Sequence, residues 1–363
     1  MNRPVPRPVD TVLHIGTGKT GTTTIQSVLG RSRAALAVGG TLYPRAFGRR
    51  RHRDFGFLVL PDTQLVRSPE WLRAGNADLD PEELRRKVLR RLRREITSDV
   101  RRLLISDEGL YRRNAAAITR VRQFAEARGG ATRVVIYLRR QDDHLASNYQ
   151  QVVKGGGIAR IAEWAATDRH HMYDYHRHLA RWRDHLGPAT FVVRTFERER
   201  FLRGSLMADF IDAAGLEVDE TQLAAAERRN ESLCAEAVEV LRLLNLYRVE
   251  NEGARAGLII NSDHVERLQR LSGPTLTLPA AVLDRFQHQW ETGNQAVARE
   301  FMVDPDGDLF RSTRRDDGTT DQILDPARLD HYLEILEVPE QQHAALRQIA
   351  EREATTAAST PSL

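Results

Sequence analysis

The stretch Thr11-Val-Leu-His-Ile-Gly-Thr-Gly-Lys-Thr-Gly-Thr-Thr-Thr-Ile-Gln-Ser-Val-Leu29 constrains this chain more than any other. Val12 to Ile15 is a short apolar run, rich in β-branched residues and closed by Gly16, and reads as a buried strand. Ile25, Val28 and Leu29 then recur at the spacing of one helical face. Between strand and helix lies a small, hydroxyl-rich turn. Glycines there let the backbone approach a ligand closely, and the unpaired N–H groups of a helix start point outward. With the charge of Lys19 and the hydroxyls of Thr20, Thr22 and Thr23, the turn reads as a cradle for phosphate or sulfate.

The nucleoside-triphosphate loop Gly-x-x-x-x-Gly-Lys-Ser/Thr is the obvious comparison, but its first glycine would stand at position 13, where this chain has Leu13. Two further apolar runs end in chemistry-bearing residues. Leu103-Leu-Ile105 leads into Ser106-Asp-Glu108, and Val134-Val-Ile-Tyr-Leu138 leads into Arg139, with Ser147 eight residues further on at the start of a helical stretch. Ligands of open α/β sheets gather at the carboxyl ends of strands, where both sets fall. An arginine can grip a phosphate with two parallel hydrogen bonds, and a serine adds a neutral donor.

Gly-Lys-Thr-Gly-Thr-Thr after a strand, followed by an arginine at a strand end and a serine eight residues later, resembles the sulfotransferases that use 3′-phosphoadenosine 5′-phosphosulfate (PAPS). The resemblance covers the first sixty per cent or so of the chain. It implies an α/β fold: a P-loop-like, mostly parallel sheet flanked by helices over residues 10–218. It also implies that Gly18, Lys19, Thr20, Gly21, Thr22 and Thr23 hold the 5′-phosphosulfate, and that Arg139 and Ser147 hold the 3′-phosphate. Many cytosolic members complete the 3′-phosphate site with an Arg-Lys-Gly segment near the C-terminus. This chain has none, which points to a bacterial-type or carbohydrate-type relative.

The implied reaction is in-line transfer of a sulfuryl group from PAPS to a hydroxyl or amine of a small-molecule or carbohydrate acceptor, with PAP as product and no metal. Lys19 and the N–H groups of residues 18–23 would meet the charge that develops on the departing 5′-phosphate. Glu108 is the first candidate for the base that removes the acceptor proton, Asp107 the second and His52 the third. His52 lies in the basic run Arg49-Arg-Arg-His-Arg53, which reads as a solvated loop or as a surface facing an anion. Two other readings stay open: a magnesium-dependent P-loop kinase with Asp107 as metal ligand, and a PAP-binding module that turns nothing over.

Bulk properties agree with a small anionic ligand. The formal charge of +4 over 363 residues is modest, whereas nucleic-acid binding calls for a concentrated basic face. No run approaches the ~18 apolar residues of a membrane span, and the N-terminus lacks a signal core, so the chain reads as cytoplasmic. Cys234 is the single cysteine, which leaves no intramolecular disulfide. The histidines between His170 and His178 are spaced too irregularly to suggest a metal site. Beyond residue 219 the chain reads as helical, with helices over 232–246 and 283–301 and two more near the C-terminus. The expected division is therefore a core over 10–218, a helical acceptor-side region over 219–353 and a disordered tail over 354–363.

Overall fold

The computed structural model describes residues 7–167, 170–225, 232–302, 304, 306–314 and 318–359. Five strands, β1 (Val9–His14), β2 (Thr41–Leu42), β3 (Arg102–Ser106), β4 (Gly129–Leu138) and β5 (Thr190–Thr195), pair in the order β2-β3-β1-β4-β5, all parallel. The strand preceding the glycine turn is thus the central one, with Leu13 opposite Ile105 on one side and Val134 on the other.

Both faces of the sheet are covered, which is why its strands read as continuous apolar runs rather than alternating ones. Leu13, Leu103, Ile105, Val134 and Ile136 face a core completed by Ile118 and Val121 of the helix Ala115–Glu126 and by Leu179 and Trp182 of the helix Tyr175–Leu186. Val12, Leu104, Val135 and Tyr137 face the opposite way. They meet Ile25, Val28 and Leu29 of α1 (Thr22–Arg31) and Phe210 and Ala213 of the helix Leu206–Ala214. Each of the larger aliphatic and phenylalanine side chains contributes about 1.5–3 kcal/mol by leaving water. The arginine-rich helix Pro81–Glu95 buries Val88 and Leu92 and starts where Asp80 accepts from the Glu82 N–H at 3.1 Å.

The chain divides into two compact units. The first comprises residues 1–140, 171–227 and 290–312, and the second 141–170, 228–289 and 313–363. A single boundary near residue 218 is therefore replaced by an interleaved pattern. The reason lies in the core of the first unit, which takes Val297, Ala298 and Leu309 from late in the sequence. The expected helix over 283–301 is two helices, Ala280–His288 in the second unit and Glu291–Phe301 in the first.

In the second unit the helix Ala235–Asn251 carries a buried ion pair. Arg242 donates to Glu239 through Nε at 2.8 Å and through Nη2 at 2.6 Å. Its Nη2 also reaches Glu353 at 2.8 Å, and Arg160 donates to the Glu353 carbonyl at 2.8 Å. These contacts hold the last helix, Glu340–Ser359, well past the point where a disordered tail was expected to begin; residues 360–363 lie outside the described ones. No helix among the described residues is long and apolar enough to cross a membrane.

Candidate active site

The turn after β1 is strained where it matters. Lys19 has φ 63° and Gly21 φ 71°, both in the left-handed region. A Cβ on Gly21 would lie 2.4 Å from Leu206 Cδ2 and 3.0 Å from Phe196 Cε2, so this position needs glycine for space as well as for backbone angle. A Cβ on Gly18 would meet nothing within 4 Å, and Gly18 is exposed, so the rim of the turn is open. No side chain caps α1, which leaves its first N–H groups facing the turn. An open rim, a half-buried lysine and an uncapped helix start fit an oxyanion group.

The threonines take separate parts. Thr20 was expected to donate to the ligand, but its side chain is fully buried and its hydroxyl donates to the Thr17 carbonyl at 3.4 Å. Thr22 is buried at the first position of α1, while Thr23 is exposed. Thr17, passed over in the sequence, ties the turn to the neighbouring strand by donating to the Tyr137 carbonyl at 3.0 Å.

Arg139 lies just beyond β4, and its Nη1 donates to the Lys19 carbonyl at 3.3 Å. Its own carbonyl accepts from the Tyr175 hydroxyl at 2.5 Å. The structure thus brings Arg139 onto the strained turn. Ser147 lies in the second unit, half-buried on the helix Gln141–Lys154.

The end of β3 forms the second half of the site. Glu108 is partly exposed, and its Oε2 accepts from Gln26 Nε2 of α1 at 2.9 Å. Its Oε1 lies 3.3 Å from Arg51 Nε. Burial raises its pKa above the usual carboxylate value, Arg51 and Gln26 oppose the rise, and Asp107 adds to it. Asp107 is fully buried, with Oδ1 accepting from Arg51 Nε at 2.6 Å and from the Gly109 N–H at 3.1 Å. Arg51 is itself bound to Glu70 at 2.7 Å; burial disfavours its charge, but Asp107, Glu108 and Glu70 together hold its pKa above the ordinary value.

His52 does not suit proton transfer near neutral pH. It is fully buried, stacks at 4.1 Å on Tyr43, and its Nδ1 accepts from the Ser106 N–H at 3.1 Å. Burial, reinforced by Arg33, pushes its pKa down to about 3. The ring is a neutral prop that joins the basic run to β3.

Ser106 is the residue that sequence reasoning missed. Its Oγ lies 2.8 Å from His14 Nδ1 and accepts from Gln26 Nε2 at 3.3 Å. This connects the ends of β1 and β3 with the middle of α1. The available signal was Gln26 itself, a polar residue between Ile25 and Val28 on the buried side of a helix.

Comparison with known proteins adds one relative. A protein of Archaeoglobus fulgidus, named only as an uncharacterized protein, is 24% identical over 242 residues, which cover 65% of this chain and 65% of that protein. No family model matches the chain, and no solved structure does.

Proposed function

We propose that this protein is a sulfotransferase that moves a sulfuryl group from PAPS to a hydroxyl or amine of its acceptor. The observation that carries the reading is Arg139 reaching the carbonyl of Lys19. It gathers two cations, from the ends of neighbouring strands, around one uncapped helix start. That arrangement suits a ligand with more than one anionic group. PAPS supplies an activated sulfuryl group whose bond to the 5′-phosphate breaks as a bond to the acceptor oxygen or nitrogen forms.

The chain's own residues have three tasks. Lys19 and the first N–H groups of α1 stabilise negative charge on the departing phosphate, a stabilisation larger in the transition state than in the ground state. Arg139 binds the 3′-phosphate. Glu108 takes the acceptor proton, and its raised pKa strengthens it as a base relative to a free carboxylate. Gln26 and Arg51 orient it. Asp107 favours this reading over a kinase, because the carboxylate that would hold magnesium is gripped by Arg51.

The test is incubation of the protein with PAPS and an acceptor library, read by mass spectrometry for a gain of one SO₃ and for PAP release, with and without a magnesium chelator. Sulfated product that is indifferent to chelation is expected. PAP binding with no product on any acceptor would reduce the protein to a nucleotide-binding module, and transfer from ATP that needs magnesium would make it a kinase. By calorimetry, PAP should bind far more tightly than adenosine 5′-phosphate. Arg139→Ala should shrink that gap, because a charge-assisted contact is worth about 1.5–3 kcal/mol.

A further inference from the structure

A cavity of about 520 Å³ in the first unit is lined by Gly30, Arg31, Arg33, Arg45, Arg49 and Arg50. Five arginines thus share one space, and Arg31 among them is tied to the Ser27 and Ala225 carbonyls. Arg33 forms its wall: Nε donates to the Tyr43 carbonyl at 2.8 Å and Nη2 to the Arg49 carbonyl at 2.7 Å. Burial lowers the Arg33 pKa, and the charges of Arg45 and Arg49 lower it further, so the guanidinium groups repel one another. Glu95 offsets part of this, but its Oε2 is bonded to the Arg45 backbone N–H at 2.7 Å. Arg45, Arg49 and Arg50 are exposed on a segment whose backbone is tied down, with the Arg50 carbonyl held by the Tyr43 hydroxyl at 2.6 Å.

The position of the cavity is informative. Thr22, Gln26 and Gly30 follow at four-residue intervals along one stripe of α1, about 6 Å apart. The stripe runs from the strained turn, past the Gln26 contact to Glu108, to the cavity. The basic run makes the same link: Arg50 lines the cavity, and the next residue, Arg51, holds Asp107 and Glu108.

We propose that the arginine cavity is an acceptor subsite that takes a carboxylate, sulfate or phosphate group, so that the acceptor is an acidic small molecule. Its reacting hydroxyl lies at Glu108 and its anionic group at the arginines, two places that the Gln26–Gly30 step of α1 and the Arg50–Arg51 step of the basic run connect. The volume lies within the range of small-molecule sites. This inference rests on the proposed function for the word acceptor, but the anion subsite stands apart from it.

Two measurements separate them. Calorimetry with sucrose octasulfate as probe compares the intact protein, Arg49→Gln/Arg50→Gln and Lys19→Ala. The double variant should bind at least about tenfold more weakly, since each charge-assisted contact is worth roughly tenfold, and Lys19→Ala should stay near the wild-type affinity. Unchanged binding by the double variant, or loss confined to Lys19→Ala, overturns the subsite. Kinetics then compare phenyl β-glucuronide with phenyl β-glucoside as acceptors in the presence of PAPS. The double variant should raise KM about tenfold for the acidic sugar alone, with kcat nearly kept and recovery in Arg49→Lys/Arg50→Lys. Equal use of both sugars by the intact protein, or an equal effect of the double variant on both, overturns the acidic-acceptor assignment. Absence of sulfation on every acceptor would count against the proposed reaction, while calorimetry would still decide the subsite.

Discussion

Glu108 is the residue on which the proposed chemistry turns. Glu108→Gln preserves the shape and the contact to Gln26 but cannot take a proton, so turnover should fall by about 10²–10⁴ while PAP binding, read by calorimetry, stays near normal. The carboxylate must be ionised to act, so the rate should decline on the acidic side of a pKa raised above the ordinary carboxylate value. Gln26→Leu removes a donor that favours the ionised form. It should move that acidic limb to higher pH, a change that a purely structural role for Gln26 would not produce. Lys19→Ala should lower turnover by roughly 10²–10³ with a smaller loss in PAP affinity.

At the scale of elements, the β1–α1 turn separates two kinds of glycine. Gly21→Ala places a Cβ against Leu206 and Phe196 in a left-handed backbone, and should cost about 2–5 kcal/mol in chemical denaturation. Gly18→Ala meets no neighbour, so stability should be unchanged while PAP binding weakens as the methyl group enters the open rim. The strand–turn–helix unit was legible because Val12, Leu13 and Ile15 run up to the glycine turn and α1 keeps a helical apolar period. Asp80 and Gly215 could likewise be read as helix boundaries from their chemistry, and both serve as such, Gly215 with φ 62°. That helix starts where Ser205 caps it by accepting from the Ala208 N–H at 3.3 Å.

The hub around Ser106 was not legible. Gln26 is 80 residues from Ser106 and 82 from Glu108, and neither periodicity nor composition carries such pairings. His52 was hidden for a related reason: among four arginines it reads as solvent-facing, yet the run turns inward at Arg51 and His52 to meet the end of β3.

For the molecule as a whole, the buried neutral histidines His14 and His52 add to its response to acid. Burial pushes His14 and His52 each down to about 3, whereas an unfolded histidine titrates near 6.5. Their depressed values mean that stability is complete above about 6.5 and is lost as the pH falls toward 3, by up to about 1.4 kcal/mol per pH unit for each ring. Calorimetric Tm should therefore drop between pH 6.5 and 4.5, and His52→Gln should reduce the steepness of that drop. A fragment ending at residue 218 should fail to give a cooperative thermal transition, because the first unit's core needs Val297, Ala298 and Leu309.

The same interleaving bears on descent. Residues 141–170 and 228–289 interrupt the first unit as two separate intervals, and the second unit consists of these and the C-terminal stretch. Intervals of that kind can lengthen, shorten or be exchanged by recombination while the sheet and its strained turn keep their spacing. Aligned descendants of a common ancestor should then agree in length from β1 to Arg139 and diverge in length across the two intervals.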